Sequence, residues 1–152
     1  MYIDLSKTYP DRRIEAFINA RNGDEWFDYL DAMGVRSAVG DAIAEAPVKW
    51  IGVLQDLHVN DGFRGKKLGT VLFQNAVEAM ENHGVEIMIL FADMEEENEF
   101  DLTTWYSSFG FERVDNDKAA PMMVKAAPEL IAALRSINGI DTEPELGTAP
   151  RV

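Results

Sequence analysis

The spacing of apolar residues predicts a β-α-β unit in the middle of the chain. Residues 48–59 alternate between apolar and polar side chains, as a half-buried strand does. Apolar residues then recur three and four positions apart over 67–82, which is typical of a helix, and His83-Gly84 is a suitable helix end. The apolar run Val85–Ala92 fits a central strand covered on both faces. These elements predict two parallel strands with a right-handed crossover.

The first 34 residues carry two apolar stripes that predict a pair of helices covering one side of a sheet. Asp11 can cap a first helix in which Ile14, Phe17 and Ile18 share one face. A second stripe ends at Gly34 and consists of Trp26, Phe27, Leu30 and Met33.

Shorter elements complete the predicted order. Tyr2–Leu5 fits a first strand, and Ser37–Ala44 fits a strand joined as a hairpin at Ala46-Pro47 to residues 48–59. A helix through Trp105 ends at Gly110. The remaining predictions are strands at Phe111–Val114 and Pro121–Ala126, a loop at Asp115–Ala120 and a helix at Pro128–Ile137.

The junction between the alternating strand and the following helix has the chemistry of an anion site. Asn60-Asp61-Gly62 supplies turn-forming residues, and Arg64–Thr70 then combines three cations with two glycines. A glycine-bearing loop that leads into a helix exposes unpaired backbone N–H groups, and the helix dipole adds partial positive charge there. We therefore expect this loop to bind a phosphate or pyrophosphate.

Composition and charge narrow the class of protein. With 152 residues and 47% hydrophobic content, the chain is long enough for one domain with a real core. The net charge of −13 argues against nucleic-acid binding and a basic membrane patch. No cysteine is present, no apolar run reaches membrane-span length, and the N-terminus lacks a signal-peptide core, so we expect a cytoplasmic protein. No metal-binding motif is apparent.

A dense acidic segment follows the second strand. Six of the nine residues in Asp93–Asp101 are acidic and none is basic. The simplest explanation is a loop exposed to solvent. Its last carboxylates would lie at the N-terminus of the next helix, where the helix dipole stabilises negative charge. The functional alternative is an electrostatic funnel for a cationic substrate.

Two motifs at the expected separation resemble the GNAT superfamily of acyl-CoA-dependent N-acetyltransferases. Residues 64–69, Arg-Gly-Lys-Lys-Leu-Gly, are similar to the family loop Arg/Gln-x-x-Gly-x-Gly/Ala, with Lys67 where the middle glycine is usual. Tyr106 through Phe111 matches the family's Tyr-x-x-x-Gly-Phe. The resemblance covers roughly residues 36–126.

The resemblance implies an α+β fold whose mixed, mostly antiparallel sheet has a central parallel strand pair that splays at the cofactor site, with helices on both faces. It implies one acyltransferase-like domain over residues 1–140 with an abbreviated N-terminal part, followed by a flexible tail at 141–152. Acetyl-CoA is the implied acyl donor. The implied cofactor-binding residues are Leu57, Val59, Arg64, Gly65, Lys66, Lys67, Leu68, Gly69, Thr70 and Asn98.

The resemblance also implies a catalytic role for Tyr106, whose hydroxyl would protonate the departing thiolate. The structural alternative is a helix tyrosine that packs its ring in the core. The amine must be neutral to attack, so a base is needed. Asp56 and His58 on the predicted strand are candidates, as is a carboxylate such as Glu95 acting through water. The sequence does not choose among them.

Two hypotheses of different class follow. In the first, the protein transfers an acetyl group from acetyl-CoA to an amine on a small molecule or a protein, through a tetrahedral intermediate, with a homodimer as one option. In the second, it is a catalytically inactive acidic binding protein that keeps the fold and engages a basic partner, the altered loop no longer holding cofactor. A phosphate-loop nucleotide hydrolase is excluded because residues 62–67 lack the required Gly-x-x-x-x-Gly-Lys-Ser/Thr spacing.

Overall fold

The computed structural model describes residues 2–4, 12–59, 68–92 and 102–140. These residues form strands and helices in an alternating order. The elements are β1 (Tyr2–Asp4), β2 (Arg12–Ala20), α1 (Asp24–Ala32), α2 (Ser37–Glu45), β3 (Trp50–Val59), α3 (Leu68–His83), β4 (Val85–Phe91), α4 (Leu102–Ser107), β5 (Glu112–Arg113), β6 (Met122–Lys125) and α5 (Pro128–Ile137).

The strands form one mixed sheet in the order β1-β2-β3-β4-β6-β5. The two central strands, β3 and β4, are parallel, and all the other neighbouring pairs are antiparallel. The parallel pair is joined through α3, as the apolar pattern of residues 48–92 predicts. The predicted α+β fold with a mostly antiparallel sheet is therefore confirmed.

Helices cover both faces of the sheet, and each face has its own buried cluster. On one face, called here the α3 face, the cluster includes Leu54, Phe73, Met80, Leu90 and Tyr106. On the other, called the α1 face, it includes Phe17, Trp26, Ile43, Val53 and Leu134 from β2, α1, α2, β3 and α5. Two buried faces explain why β4 reads as a nearly continuous apolar run.

The predicted first helix is wrong, because residues 12–20 form β2. Phe17 packs on the α1 face, whereas Ile14 and Ile18 pack on the α3 face. A strand buried on both sides places apolar residues at almost every position, so Ile14, Phe17 and Ile18 also satisfy a helical spacing. Pairing with both β1 and β3 decides the outcome in favour of the strand. The predicted first strand at residues 2–5 is confirmed as β1.

The predicted strand at Ser37–Ala44, and with it the hairpin at Ala46-Pro47, is also wrong. This segment forms α2, whose buried residues are Val39, Gly40 and Ile43. Their spacing defines one helix face, and the alanines of this segment favour a helix. Pro47 lies in the connection that leads from α2 to β3.

The remaining elements agree with the sequence to within a few residues. Both α3 and α4 are followed by a glycine in the left-handed region, Gly84 with φ +99° and Gly110 with φ +97°, as their sequence stops predict. Helix α5 matches its predicted bounds. The predicted tail at 141–152 lies outside the described residues.

Gly52 allows α3 to lie close to the sheet. A Cβ atom at this position would overlap the Met80 Cε atom of α3 and would lie 3.1 Å from Val85 Cγ1. The absence of a side chain at Gly52 thus lets Met80 reach the sheet beside the central strand pair.

In the part of the chain that the structure describes, no helix is both long and apolar enough to cross a membrane.

Candidate functional site

The two central strands separate part-way along their length. Their last paired residues are Val53 and Ile89, yet β3 continues to Val59 and β4 to Phe91. On its other side β3 remains paired with β2 as far as Val59. Among the described residues, no strand therefore pairs with the β4-facing side of residues 54–59. We call this gap between β3 and β4 the strand opening.

A β-bulge lies where the strand opening begins. Ala16 pairs with Leu54 and Glu15 pairs with Asp56, so Gln55 is an extra residue on β3 without a partner on β2. A bulge bends its strand and increases the local twist. Because Gln55 follows the last parallel pair by only two residues, the bulge accounts for the departure of β3 from β4.

Four of the residues predicted for the site lie along the strand opening. Asp56, Leu57, His58 and Val59 occupy the last four positions of β3, opposite residues 12–15 of β2. As far as the structure describes the chain, no strand pairs with the β4-facing N–H and C=O groups of this segment, so a ligand that binds like a strand could pair with them. The structure therefore brings the two candidate bases and the two predicted cofactor-contacting strand residues to one short segment.

Helix α3 begins close to the strand opening in the chain. Leu68, Gly69 and Thr70 form its first turn, and eight residues separate it from the end of β3. The first turn of any helix carries backbone N–H groups without intrahelical partners. The other predicted loop residues, Arg64, Gly65, Lys66 and Lys67, lie outside the described residues, as do Asn98 and Glu95.

Tyr106 lies on the α3 face, in a cluster of aromatic rings. Its ring centroid is 5.2 Å from that of Phe73 and 5.0 Å from that of Trp105, and only 8% of the residue is exposed. The same buried cluster contains Leu54 of β3 and Leu90 of β4, the first residues beyond the last parallel pair. Tyr106 therefore packs its ring in the core, as the structural alternative expects, and does so in the cluster that borders the strand opening.

On the α1 face, a cleft of about 280 Å³ lies at the end of β4. Its apolar part includes Phe91, the last residue of β4, and Met122 of β6. Its polar part includes the loop carboxylates Asp115 and Asp117. The rest of the lining is Met33, Gly34, Val35, Arg36, Asn116, Ala120 and Asn138.

Helix α5 connects two of the segments that line this cleft. Arg36 Nη1 donates a hydrogen bond to the Ile137 carbonyl over 3.0 Å, and Asn138 Nδ2 donates to the Val114 carbonyl over 2.7 Å. The residues that follow α1 and those that follow β5 are thus both anchored to the C-terminal end of α5. The sequence predicts the loop at 115–120 but not the cleft. The residues that line the cleft come from four separate stretches of chain, which only the fold brings together.

The model of the acetyltransferase (GNAT) family matches residues 3–111, well over half of the chain. The chain belongs to this family. The match includes β1 through α4, and so covers the strand opening, the start of α3 and Tyr106.

Solved structures of GNAT enzymes share the fold at low sequence identity. The NatC complex bound to Gag peptide and CoA matches with a TM-score of 0.51 and 14% identity, covering 78% of this chain and 62% of that one. A polyamine N-acetyltransferase of Drosophila melanogaster matches with a TM-score of 0.51 and 13% identity, covering 76% and 69%. Arylalkylamine N-acetyltransferase 2 of Aedes aegypti matches with a TM-score of 0.50 and 15% identity, covering 76% and 67%.

This chain spans only part of the length of some of the proteins it matches. The chain spans 48% of a matched protein from Pyrococcus horikoshii OT3 and 62% of the NatC chain, less than two thirds of either. No curated protein sequence matches it significantly.

Most of the cleft lining lies beyond the region that the GNAT family model matches. The loop between β5 and β6 begins after residue 111, and its geometry depends on two carboxylates. Asp115 Oδ1 accepts hydrogen bonds from the Asp117 and Met122 amides, each over 3.2 Å. Asp117 Oδ1 accepts from the Ala119 and Ala120 amides over 2.9 and 3.0 Å. These bonds hold the loop in one conformation beside the cleft.

The two carboxylates differ in their acidity. Burial raises the pKa of Asp115 above its ordinary value, and its hydrogen bonds only partly offset this effect. The pKa of Asp117 is lowered, chiefly by its hydrogen bonds from the Ala120 and Ala119 amides. The cleft thus contains one carboxylate that resists ionisation and one that favours it.

We expect Asp115→Asn and Asp117→Asn to change the pH dependence of stability in opposite directions. The raised pKa of Asp115 contributes stability below its unfolded value, near 3.8, and this contribution is lost as pH rises through the folded value. The lowered pKa of Asp117 contributes stability above its unfolded value, and this is lost as pH falls through the folded one. As pH rises, Asp115 makes the free energy of unfolding fall, and Asp115→Asn should abolish this fall. Asp117 makes the free energy of unfolding increase with pH, and Asp117→Asn should abolish this increase.

Urea unfolding of the wild type and both variants, at a series of pH values from acid to neutral, measures these slopes. Asp28→Asn, which removes an exposed carboxylate from α1, serves as a control for the loss of one negative charge. Two variant curves that run parallel to the control curve would contradict the assigned directions.

Proposed function

We propose that this protein is an N-acetyltransferase that transfers an acetyl group from acetyl-CoA to an amine by direct attack. Membership of the GNAT family supports acetyl transfer in general. The observation that carries the proposal is the strand opening, where β3 leaves β4 while it remains paired with β2. A ligand with amide groups along an extended arm can pair with such an exposed strand edge.

Acetyl-CoA is proposed to bind along the strand opening. The β4-facing backbone of residues 54–59 would pair with the amides of the pantetheine arm. The first turn of α3, with the amides and cations of residues 64–70, would bind the pyrophosphate. The NatC structure, which shares the fold, is bound to CoA and supports this choice of donor. Acetyl-CoA supplies an activated thioester and a thiolate leaving group.

Three groups of this chain have proposed roles in the transfer. A backbone N–H of the strand opening would donate to the oxyanion of the tetrahedral intermediate. The Tyr106 hydroxyl would protonate the departing thiolate. Asp56 or His58 on β3, or Glu95 through water, would take the proton from the amine, and the choice among them stays open.

The acceptor amine is proposed to bind in the cleft on the α1 face. The cleft lies beside Phe91 at the end of β4, whereas Tyr106 lies on the opposite face of the sheet. An amine that enters from the α1 face would reach the strand opening from the side away from Tyr106. The net charge of −13 would draw a protonated amine toward the protein. Both small-molecule and protein amines remain candidates.

Isothermal titration calorimetry with acetyl-CoA, followed by thiol-release assays with a panel of amines, tests this proposal. We expect a dissociation constant in the micromolar range, and release of thiol that depends on both acetyl-CoA and an amine. Arg64→Ala should weaken acetyl-CoA binding by roughly 10- to 100-fold, because a charge-assisted hydrogen bond to phosphate contributes about 1.5–3 kcal/mol. Lys118→Ala, which removes an exposed cation from the loop between β5 and β6, is the matched control.

Two results would contradict this function. Absence of measurable binding at millimolar acetyl-CoA would favour the second hypothesis, an acidic protein of the same fold that engages a basic partner. Equal weakening by Arg64→Ala and Lys118→Ala would show that the loop before α3 has no specific role.

A further inference from the structure

Tyr29 of α1 lies over the sheet at the point where the strands separate. Its ring is 5.8 Å from that of Phe17, in an edge-to-face arrangement, and 6.1 Å from that of Phe91. Phe17 of β2 pairs with Val53, which belongs to the last β3–β4 pair, and Phe91 lies two residues beyond that pair on β4. The Tyr29 ring therefore spans β3 on the α1 face, next to the start of the strand opening.

The position of Tyr29 is fixed by its helix. Trp26 and Leu30 are almost fully buried and hold α1 on the sheet. Trp26 Nε1 donates a hydrogen bond to the Arg21 carbonyl over 2.9 Å, and the Trp26 amide donates to Asn19 Oδ1 over 2.9 Å. The aromatic contacts of Tyr29 add to this anchoring. Its hydroxyl is thus presented by a rigid element.

Tyr29 adjoins the start of the strand opening and, through Phe91, the cleft. Phe91 contacts its ring and also lines the cleft. Met33, another cleft residue, follows Tyr29 by one helical turn, and its amide donates to the Tyr29 carbonyl over 3.0 Å. An acceptor that extends from the cleft to the opening would pass Tyr29.

The Tyr29 hydroxyl has unused hydrogen-bonding capacity. Within the described ranges it forms no hydrogen bond or ion pair to another residue. Burial alone raises the pKa of Tyr29, with no charged neighbour or hydrogen bond contributing. The phenol therefore stays neutral at physiological pH and is unsuited to act as a base. A half-buried hydroxyl without a partner is a group that a ligand can satisfy.

We propose that Tyr29 is an acceptor-binding residue whose hydroxyl oxygen accepts an N–H hydrogen bond from the acceptor amine. This inference rests on the proposed acetyltransferase function. A neutral primary amine has two N–H groups and one lone pair. When one N–H is held by Tyr29 on the α1 face, the lone pair is free to point through the strand opening at the acetyl carbonyl. Tyr29 then orients the amine, and the proton is taken by another group.

Steady-state kinetics of Tyr29→Phe with acetyl-CoA and three probe amines, spermidine, tyramine and a short peptide with a free N-terminus, tests this inference. The variant keeps the ring and its contacts with Phe17 and Phe91 but loses the hydroxyl. We expect KM for the best probe to rise up to about tenfold, the worth of one hydrogen bond, with kcat within about threefold of wild type. The dissociation constant of acetyl-CoA and the melting temperature should be unchanged.

Tyr106→Phe provides the matched comparison, because it also removes one tyrosine hydroxyl but on the α3 face, and it should lower kcat rather than raise KM. An unchanged KM in Tyr29→Phe, in an enzyme that acetylates a probe, would overturn the role of Tyr29 and leave the proposed function intact. A change only in melting temperature would likewise overturn it, by showing a structural role. A wild-type protein that neither binds acetyl-CoA nor acetylates any of the three probes would overturn both.

Discussion

Tyr106→Phe is expected to lower kcat by about 10²-fold while leaving the affinity for acetyl-CoA nearly unchanged. General acid catalysis typically contributes 10²–10⁴-fold, and loss of the phenol would leave the thiolate to depart without its proton donor. The hydroxyl would act only as charge develops on sulfur, so its removal should affect the transition state and not the bound cofactor.

The environment of Tyr106 makes this substitution selective. Its ring packs against Phe73 and Trp105, and a phenylalanine preserves both contacts. Thermal melting measures any change in stability separately from the kinetics. Single-turnover kinetics and calorimetry separate the chemical step from cofactor binding. An equal loss of kcat and of acetyl-CoA affinity would show that Tyr106 is structural.

Phe73→Ala is expected to lower the free energy of unfolding by about 3–5 kcal/mol, the range for truncation of a buried aromatic residue. Phe73 of α3 is 1% exposed, and its ring lies within 6 Å of four other aromatic rings. Those rings belong to Trp105, Tyr106, Phe109 and Phe111. The substitution would leave a cavity between α3 and α4 and remove the main support of Tyr106.

Val71→Ala is the matched control, because Val71 lies on the same helix but is 50% exposed. Its effect should stay within about 0.5 kcal/mol, as for most surface substitutions. Urea unfolding at 25 °C measures both variants. A loss below about 1.5 kcal/mol in Phe73→Ala would mean that the aromatic cluster collapses around the gap or contributes little to the core.

The sequence predicted correctly those elements whose apolar pattern clearly favours either a helix or a strand. Residues 85–92 fit a strand buried on both faces, and residues 67–82 repeat with a helical period over four turns. The pattern of Ile14, Phe17 and Ile18 fits a helix face and equally a strand covered on both sides, so tertiary pairing decided it. In Ser37–Ala44 the helix preference of alanine outweighed the apparent strand pattern.

The candidate site was predictable only where it is contiguous in sequence. Asp56 through Val59 and the start of α3 follow one another, and their motif indicates an anion site. The strand opening itself has no sequence signal, because the bulge at Gln55 is defined by its pairing partners on β2. Tyr29 reads as one more residue of an amphipathic helix, and only the fold places its ring beside Phe91.

The composition of the cleft bears on how the specificity of the proposed acetyltransferase could evolve. The proposed donor site comes largely from one continuous segment, from the end of β3 to the first turn of α3. The cleft is assembled from residues after α1, the end of β4, the loop between β5 and β6, and the end of α5. Substitutions or insertions in those peripheral segments would reshape acceptor recognition without altering donor binding. If donor and acceptor bind as proposed, the chemical step stays fixed while the choice of amine is readily diversified.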